Sequence, residues 1–599
     1  MPQHSEKRDL TQSYRPDPTL AEATTSTVPA IVQPPQHALT FQLLKRHFAG
    51  LRAVFLLLVL GGLLELLYLA LYPLLAGIPI ANDPVQQALP GIFPWLSRLY
   101  WTTMFPTLRQ FLTQVPWLNL TNTGEGAANL LLLLLCLAFA LSLLAARIGR
   151  QIVSARLSIL DGHALFWTTI IVTALFGLTM LCAPSGPGII AQDMLTSGLY
   201  GRVVVVHHAN PYIVTSAVFS LDVLHQALLK SPGVQGASSY GPVWMDLSIL
   251  VTLFARDSVA NILLGFRLIG LVAHLLNAIL LWSILARVKP ETRISATLLY
   301  AWNPVVLLLS VFTLHQEVVV ILLLLTAILF FQRNTPMLGW VFVLLATLIS
   351  LFCLLLLPLF LRVIMRKTRI MRLEQRSLWW PGLVVVTLLV IALAYAPYWQ
   401  GWGFIGLRAS IFQIFWPDRT INTLDAALLN LPVGLPASVL WLFDPHHWAL
   451  CTLVIIGCFL LFAIWLVDSL ELALLCASWL FILLVILMPI YWPWYVMLPL
   501  VLALCSANRN TIFLTILLTV GALLSYYLWL LQPVWSGQAL LTVELPLLLW
   551  GWALFLTSAW HVTRAADVVP PKKSRRSLPH FSRPSWLSRP SWPSRPDLS

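Results

Sequence analysis

The chain has 599 residues, of which 59% are hydrophobic and 10% charged, with a formal net charge of +13. A water-soluble fold of this length needs a charged shell that this composition does not supply, while apolar runs long enough to cross a bilayer core recur along most of the sequence. The excess positive charge lies in short loops and tails, which speaks for membrane orientation and anionic headgroups, not nucleic acid. The short alternating segments of a β-barrel are absent.

In chain order, residues 1–48 form a leader rich in Pro, Thr and Gln, too long and too polar for a cleaved signal peptide. It is expected to be a disordered cytoplasmic segment. The cluster LKRHFAGLR (44–52) precedes the first apolar run and sets the N-terminus inside. A polytopic all-α membrane domain is expected over 49–565. Spans are predicted near 53–77, 128–146, 163–182, 259–286, 293–311, 317–332, 336–349, 350–364 and 379–397. Others are predicted near 447–467, 472–488, 491–506, 510–531 and 540–560, about fourteen in all. Runs 336–349 and 350–364 are short and fit one kinked pair near Pro358. With this count the basic loops 146–156, 286–293, 331–334, 362–376 and 506–510 all fall inside. So does the basic tail 566–599, read as disordered for its Ser-Arg-Pro units with interleaved Trp. Both termini are then cytoplasmic. The seven cysteines are scattered, and no Cys or His spacing suggests a metal.

The large loops at about 184–258 and 398–446 fall outside. They are aromatic-rich and are expected to carry amphipathic helices at the membrane surface. The segment 241–255 is too short to span and reads as one of these. Within the first loop, Asp193, Ser197 and Tyr200 share a face of a helix, and Gly198 and Gly201 leave room for a close neighbour. A carboxylate on the outer side of apolar helices can serve as a general base; the alternative is a helix cap or an acid paired with Arg202. Asn210 and Tyr212 lie in an Asn-Pro-Tyr turn, and Tyr240 and Trp244 in SSYGPVW. Asn303 belongs to Trp-Asn-Pro. His315 and Glu317 open the next apolar run on its outer side, where ionisable groups are costly and usually functional. Arg408 is an outer cation with no neighbouring acid in sequence, and a bound phosphate would explain it. P-loop, GxSxG, HExxH and Rossmann fingerprints are absent.

Taken as a set, D-x3-S-x2-Y-G-R, N-P-Y, S-x-Y-G-P-x-W, W-N-P and H-x-E resemble the membrane-embedded GT-C superfamily of glycosyltransferases. The likeness is closest to the bacterial polyprenyl-phosphate-mannose-dependent alpha-mannosyltransferase-like branch, and it covers roughly residues 160–505. The resemblance implies a GT-C-like core. It implies Asp193 as catalytic base, and substrate-binding roles for Arg202, Asn210, Tyr212, Tyr240, Trp244, Asn303, His315, Glu317 and Arg408. Many relatives have H-N-D or H-N-E where this chain has His315-Gln316-Glu317, and a paired acid where it has Gln192-Asp193; the missing second acid indicates no cofactor, with a divalent metal as the alternative. The implied donor is a polyprenyl-phosphate sugar, with mannose favoured. The acceptor would be a glycolipid, polysaccharide or protein, met with inversion on the extracytoplasmic face of a bacterial-type plasma membrane. The competing readings are a lipid or glycolipid flippase and an inactive GT-C-like binder. Outer-rim acids and the lack of a clear internal repeat favour the transferase over the flippase.

Overall fold

The computed structural model describes residues 36–77, 123–154, 159–183, 192–228, 236–369, 373–415, 436, 441–488 and 491–531. Among these residues there are helices and turns and no strands. The helices are α1 (Gln36–Gly77), α2 (Thr123–Ser154), α3 (Ile159–Cys182), α4 (Gln192–Val205), α5 (Val223–Leu228), α6 (Pro242–Ala255) and α7 (Val259–Val288). The bent pair α8 (Arg293–Ala301) and α9 (Pro304–Leu307) runs into a π-helical turn, Leu308–Phe312. Next come α10 (Glu317–Gln332), α11 (Pro336–Thr347), α12 (Leu357–Thr368), α13 (Leu373–Tyr395) and α14 (Gly403–Phe415). The last four are α15 (Pro445–Leu466), α16 (Leu470–Leu487), α17 (Met497–Ser506) and α18 (Arg509–Leu531).

Seven helices among the described residues are long and apolar enough to cross a membrane, or eight if the bent pair Pro290–Ala301 and Pro304–Phe312 is one span. Among the described residues the expected count of about fourteen is not confirmed. An apolar run is needed both for contact with lipid and for burial inside protein, and composition does not separate the two. In α17 every residue from Met497 to Cys505 is buried by protein. Helices α10 and α11 are 16 and 12 residues long and pack on each other. The predicted span 293–311 bends by 54° at Trp302-Asn303, where Asn303 caps the next helix and Pro304 opens it. The predicted kink near Pro358 sits earlier: α11 ends at Thr347, and Pro358 lies in the first turn of α12. Helix α1 starts at Gln36, immediately after the leader's last proline and ahead of the boundary expected at 48. The predicted span 540–560 and the tail lie outside the described residues. The outward faces of α13 and α15 carry Leu388, Leu393, Leu461 and Trp465, each at least 63% exposed. A surface this apolar needs lipid against it. The chain is an integral membrane protein.

Helix α7 is the centre of the fold and packs against α3, α6, α8, α10 and the π-helical turn. Ser258 caps its start. Two of its buried polar residues, His274 and Arg267, lie where neighbouring backbones are irregular. His274 Nε2 meets the carbonyl of Ala301 at 3.2 Å, at the bend. Asn277 donates to the Val318 carbonyl at 3.0 Å and to the Tyr300 hydroxyl at 2.9 Å. Arg267 donates to the Phe312 carbonyl at 3.0 Å. A carbonyl freed by a break in a helix has no water to turn to at this depth, so a side chain must serve it. Gly270 lets the two backbones meet: a Cβ there would overlap the Ser310 carbonyl oxygen.

Gly270→Ala is therefore expected to destabilise the protein by about 1–3 kcal/mol. Gly62→Ala, at a helical glycine with open space around it, should leave stability within about 0.5 kcal/mol of wild type. Thermal unfolding of the two purified variants in detergent checks the contrast.

Candidate active site

Asp193 lies in the first turn of α4, where the helix dipole favours a negative charge. As the spacing predicts, Ser197 and Tyr200 follow on its face, and that face meets α6 and the turn before it. Ser197 Oγ accepts a hydrogen bond from Trp244 Nε1 at 3.0 Å. The Tyr200 ring packs edge-on against Tyr240 at 6.1 Å, and its hydroxyl donates to the Gly236 carbonyl at 3.0 Å. Gly201 permits the close crossing, because a Cβ there would lie 2.6 Å from the Ser248 carbonyl oxygen. The turn before α6 is docked in turn. The amides of Gly241 and Val243 donate to the carbonyls of Ile349 and Leu348, at 3.3 and 3.2 Å.

His315 reaches Asp193 from the other side of the molecule. The chain leaves the π-helical turn through Leu314, whose φ of +34° is rare for a side chain of this size. The His315 amide then bonds back to the Leu309 carbonyl at 3.0 Å. His315 Nδ1 stands 2.8 Å from Asp193 Oδ2. The histidine is 4% exposed and the aspartate 34%, so a buried ring holds a carboxylate that solvent still reaches. The ring stacks on Trp494 at 3.8 Å, and Trp494 stacks on Trp492 at 4.8 Å. The aromatic stretch around Pro493 thus supplies the wall behind the histidine.

Glu317, two residues on, is buried. The Gln316 side chain and its own amide lie nearby, but neither carboxylate oxygen meets hydrogen-bond geometry with a protein group. Tyr240 and Tyr495 lie within electrostatic reach of both Asp193 and Glu317. Burial first, then the Asp193 carboxylate, push the Tyr240 phenol well above its ordinary value, so it stays a hydroxyl donor. Asp193, His315, Glu317, Tyr240 and, through Ser197, Trp244 therefore form one constellation.

The other sequence-chosen residues lie elsewhere. Arg202 is nine positions from Asp193, which is half a turn out of phase on α4. Its Nε donates to Asp222 at 2.9 and 3.1 Å, and its Nη1 donates to Asp257 at 2.9 Å and to the Arg256 carbonyl at 3.2 Å. His207 Nε2 completes the group at 3.0 Å from Asp222. Asn210 donates to the Tyr398 carbonyl at 2.7 Å and accepts from the Tyr212 amide. Tyr212 donates to the Tyr240 carbonyl at 2.9 Å and stacks on Trp402 at 4.7 Å, so the Asn-Pro-Tyr turn joins the described parts of the loops 184–258 and 398–446. Asn303 caps α9 at the bend. Arg408 is exposed on α14. Sequence reasoning passed over Arg267 and Asp222; a charge inside the predicted span 259–286 was the available signal for the first, and the second had none.

The fold and constellation define an all-helical integral membrane protein with a histidine-held carboxylate. Residues 99–366 match the family model described as alpha-(1->6)-mannopyranosyltransferase, N-terminal domain. The match is consistent with a GT-C mannosyltransferase-like protein and supports a membrane mannosyltransferase. No curated protein matches the chain. The matched region contains Asp193, Tyr240, Trp244, His315 and Glu317, and stops short of Arg408 and Trp494.

The Arg202 cluster carries a pH prediction. Burial alone would raise the Asp222 carboxyl, but Arg202, His207 and the Leu224 amide outweigh it and hold the group below the usual carboxylate range. A lowered folded value gives stability that is present above the unfolded carboxyl value of about 3.9 and is lost as pH falls through the folded one. Asp222→Asn should cost about 3 kcal/mol near neutral pH. The gap to wild type should close as pH drops below about 4. Thermal unfolding of both proteins across that range is the check; a gap independent of pH would refute the assignment.

Proposed function

We propose that the chain is an integral-membrane glycosyltransferase that moves mannose from a polyprenyl-phosphate donor to an acceptor hydroxyl at the extracytoplasmic face. The observation that carries this reading is the 2.8 Å contact between His315 Nδ1 and Asp193 Oδ2. It joins two segments 122 residues apart in sequence, both inside the mannosyltransferase match.

His315, with its ring fixed on Trp494, donates through Nδ1 and occupies Asp193 Oδ2. Among the described residues Oδ1 has no hydrogen-bond partner, and it takes the acceptor hydroxyl. As the acceptor oxygen bonds to the anomeric carbon, its proton passes to Asp193. The bond from the anomeric carbon to the phosphate oxygen breaks, and its electron pair leaves on the phosphate. A single displacement inverts the anomeric centre. Glu317 has two oxygens in need of donors, which suits the hydroxyls of a sugar ring. Arg202 is spent on Asp222 and Asp257 and acts by holding α4 and the loop together. Arg408, exposed on α14 and outside the constellation, is the candidate from sequence for the cation that meets the leaving phosphate. The acceptor belongs to the class of glycolipid, polysaccharide or protein hydroxyls, and membrane lipids surround the site. No metal is assigned a role in this reading.

Asp193→Asn keeps the size and the hydrogen-bonding capacity of the side chain and removes the base. Transfer from radiolabelled polyprenyl-phosphate mannose should fall by about 10²–10⁴-fold in membranes containing equal amounts of protein. Transfer at the wild-type rate in this variant would move the base elsewhere, with Glu317 the next to test.

A further inference from the structure

Arg267 is a charge placed about 12 Å along the membrane-spanning helix α7, counting from Val259 at 1.5 Å per residue. A guanidinium there is expensive unless the fold uses it. Its side chain is 4% exposed and reaches two separate segments. Nε donates to the carbonyl of Phe312, the last residue of the π-helical turn, at 3.0 Å. Nη1 donates to the carbonyls of Leu181, at 3.2 Å, and of Ala183, at the end of α3. The guanidinium carbon also lies over the Phe312 ring, 4.5 Å from its centroid. One turn further along α7, Gly270 lets Ser310 of the same turn come into contact. Phe312 is three residues ahead of His315, whose amide bonds back to Leu309 inside the same turn and whose carbonyl accepts from the Val318 amide at 3.2 Å.

We propose that Arg267 is a positioning residue for the Asp193–His315 pair. Its planar fork fixes the end of the π-helical turn against the end of α3, and so sets the height at which His315 meets Asp193. The guanidinium geometry matters, because the bonds run in different directions to two segments. A lysine ammonium can replace the charge but not the rigid fork. A π-helical turn that leads into a φ of +34° is not the resting state of this sequence in isolation, so something outside it must hold it. Arg267 holds its last residue, while Gly270 and Met497 meet Ser310 further back in the turn.

The catalytic part of this proposal rests on the transferase reading, and two measurements keep the two apart. The first is hydrogen exchange in detergent on wild type, Arg267→Lys and Arg267→Met. Faster exchange confined to 181–183 and 308–316, greater for Met than for Lys, is the expected result whether or not the protein transfers a sugar. Unchanged exchange in that region, or faster exchange spread evenly over all helices, would overturn the latch. The second is mannosyl transfer by the same proteins and by His315→Ala, alone and combined with Arg267→Met. Arg267→Met is expected to lower kcat at least tenfold with KM within twofold, and Arg267→Lys to recover part of the loss. In the double variant the loss should be no greater than in His315→Ala alone, since Arg267 acts through that histidine. Additive losses, or a change in KM with kcat intact, would overturn the positioning role. Absence of transfer in wild type would count against the transferase reading and leave the exchange result to decide the latch. If Arg267→Met does not accumulate, Arg267→Lys carries both measurements, with the same signs and smaller effects.

Discussion

The structure depends on where broken helices find hydrogen-bond partners. A backbone carbonyl away from water must be satisfied from within the protein. Between Tyr300 and Val318 this chain interrupts regular α-helix repeatedly: at the Trp302-Asn303 bend, through the π-helical turn, and at Leu314. Those interruptions are tolerated because α7 presents Arg267 and His274 to them, with Gly270 allowing close approach. At Trp302-Asn303 the break is set locally, by Pro304 and the Asn303 cap, and α7 satisfies a carbonyl it frees. Beyond it, the π-helical turn and Leu314 carry His315 to Asp193.

Around this centre the two aromatic-rich loops are stitched to one another. Asn210 ties the first loop to the second through Tyr398 and Gln400, and Tyr212 joins both to the turn that carries Tyr240. The Tyr398 hydroxyl donates to Asp246 at 2.6 Å, where burial raises the carboxyl of α6 above its ordinary value despite that bond. Arg202 closes the far side of α4. The residues sequence analysis grouped by motif therefore divide into two sets. Asp193, His315, Glu317, Tyr240 and Trp244 meet. Arg202, Asn210, Tyr212 and Asn303 hold the framework that lets them meet.

Much of the architecture was open to reading before any coordinates. The all-helical membrane character followed from the scarcity of charge and the length of the apolar runs. The short helix at 242–255 followed from its length and its leading Gly-Pro. The shared face of Asp193, Ser197 and Tyr200 followed from helical periodicity, and α6 does pack there. The sequence does not tell which apolar runs face lipid and which are enclosed: α17 is as apolar as a lipid-facing helix yet is surrounded by protein. Nor does it tell the partner of Arg202. Asp222 and Asp257 stand 20 and 55 residues away, and nothing in the local pattern marks them.

The sequence by itself determined that this is a polytopic helical membrane protein with an acid on a short helix between apolar runs, because hydrophobicity and helical periodicity are local properties of the chain. Only the tertiary structure decided which side chain that acid would face. His315 lies 122 residues from Asp193 and reaches it through a bend, a π-helical turn and a left-handed residue. Each of these is stabilised by contacts from other helices, so the pairing is a property of the packing and not of any stretch of residues that can be read alone.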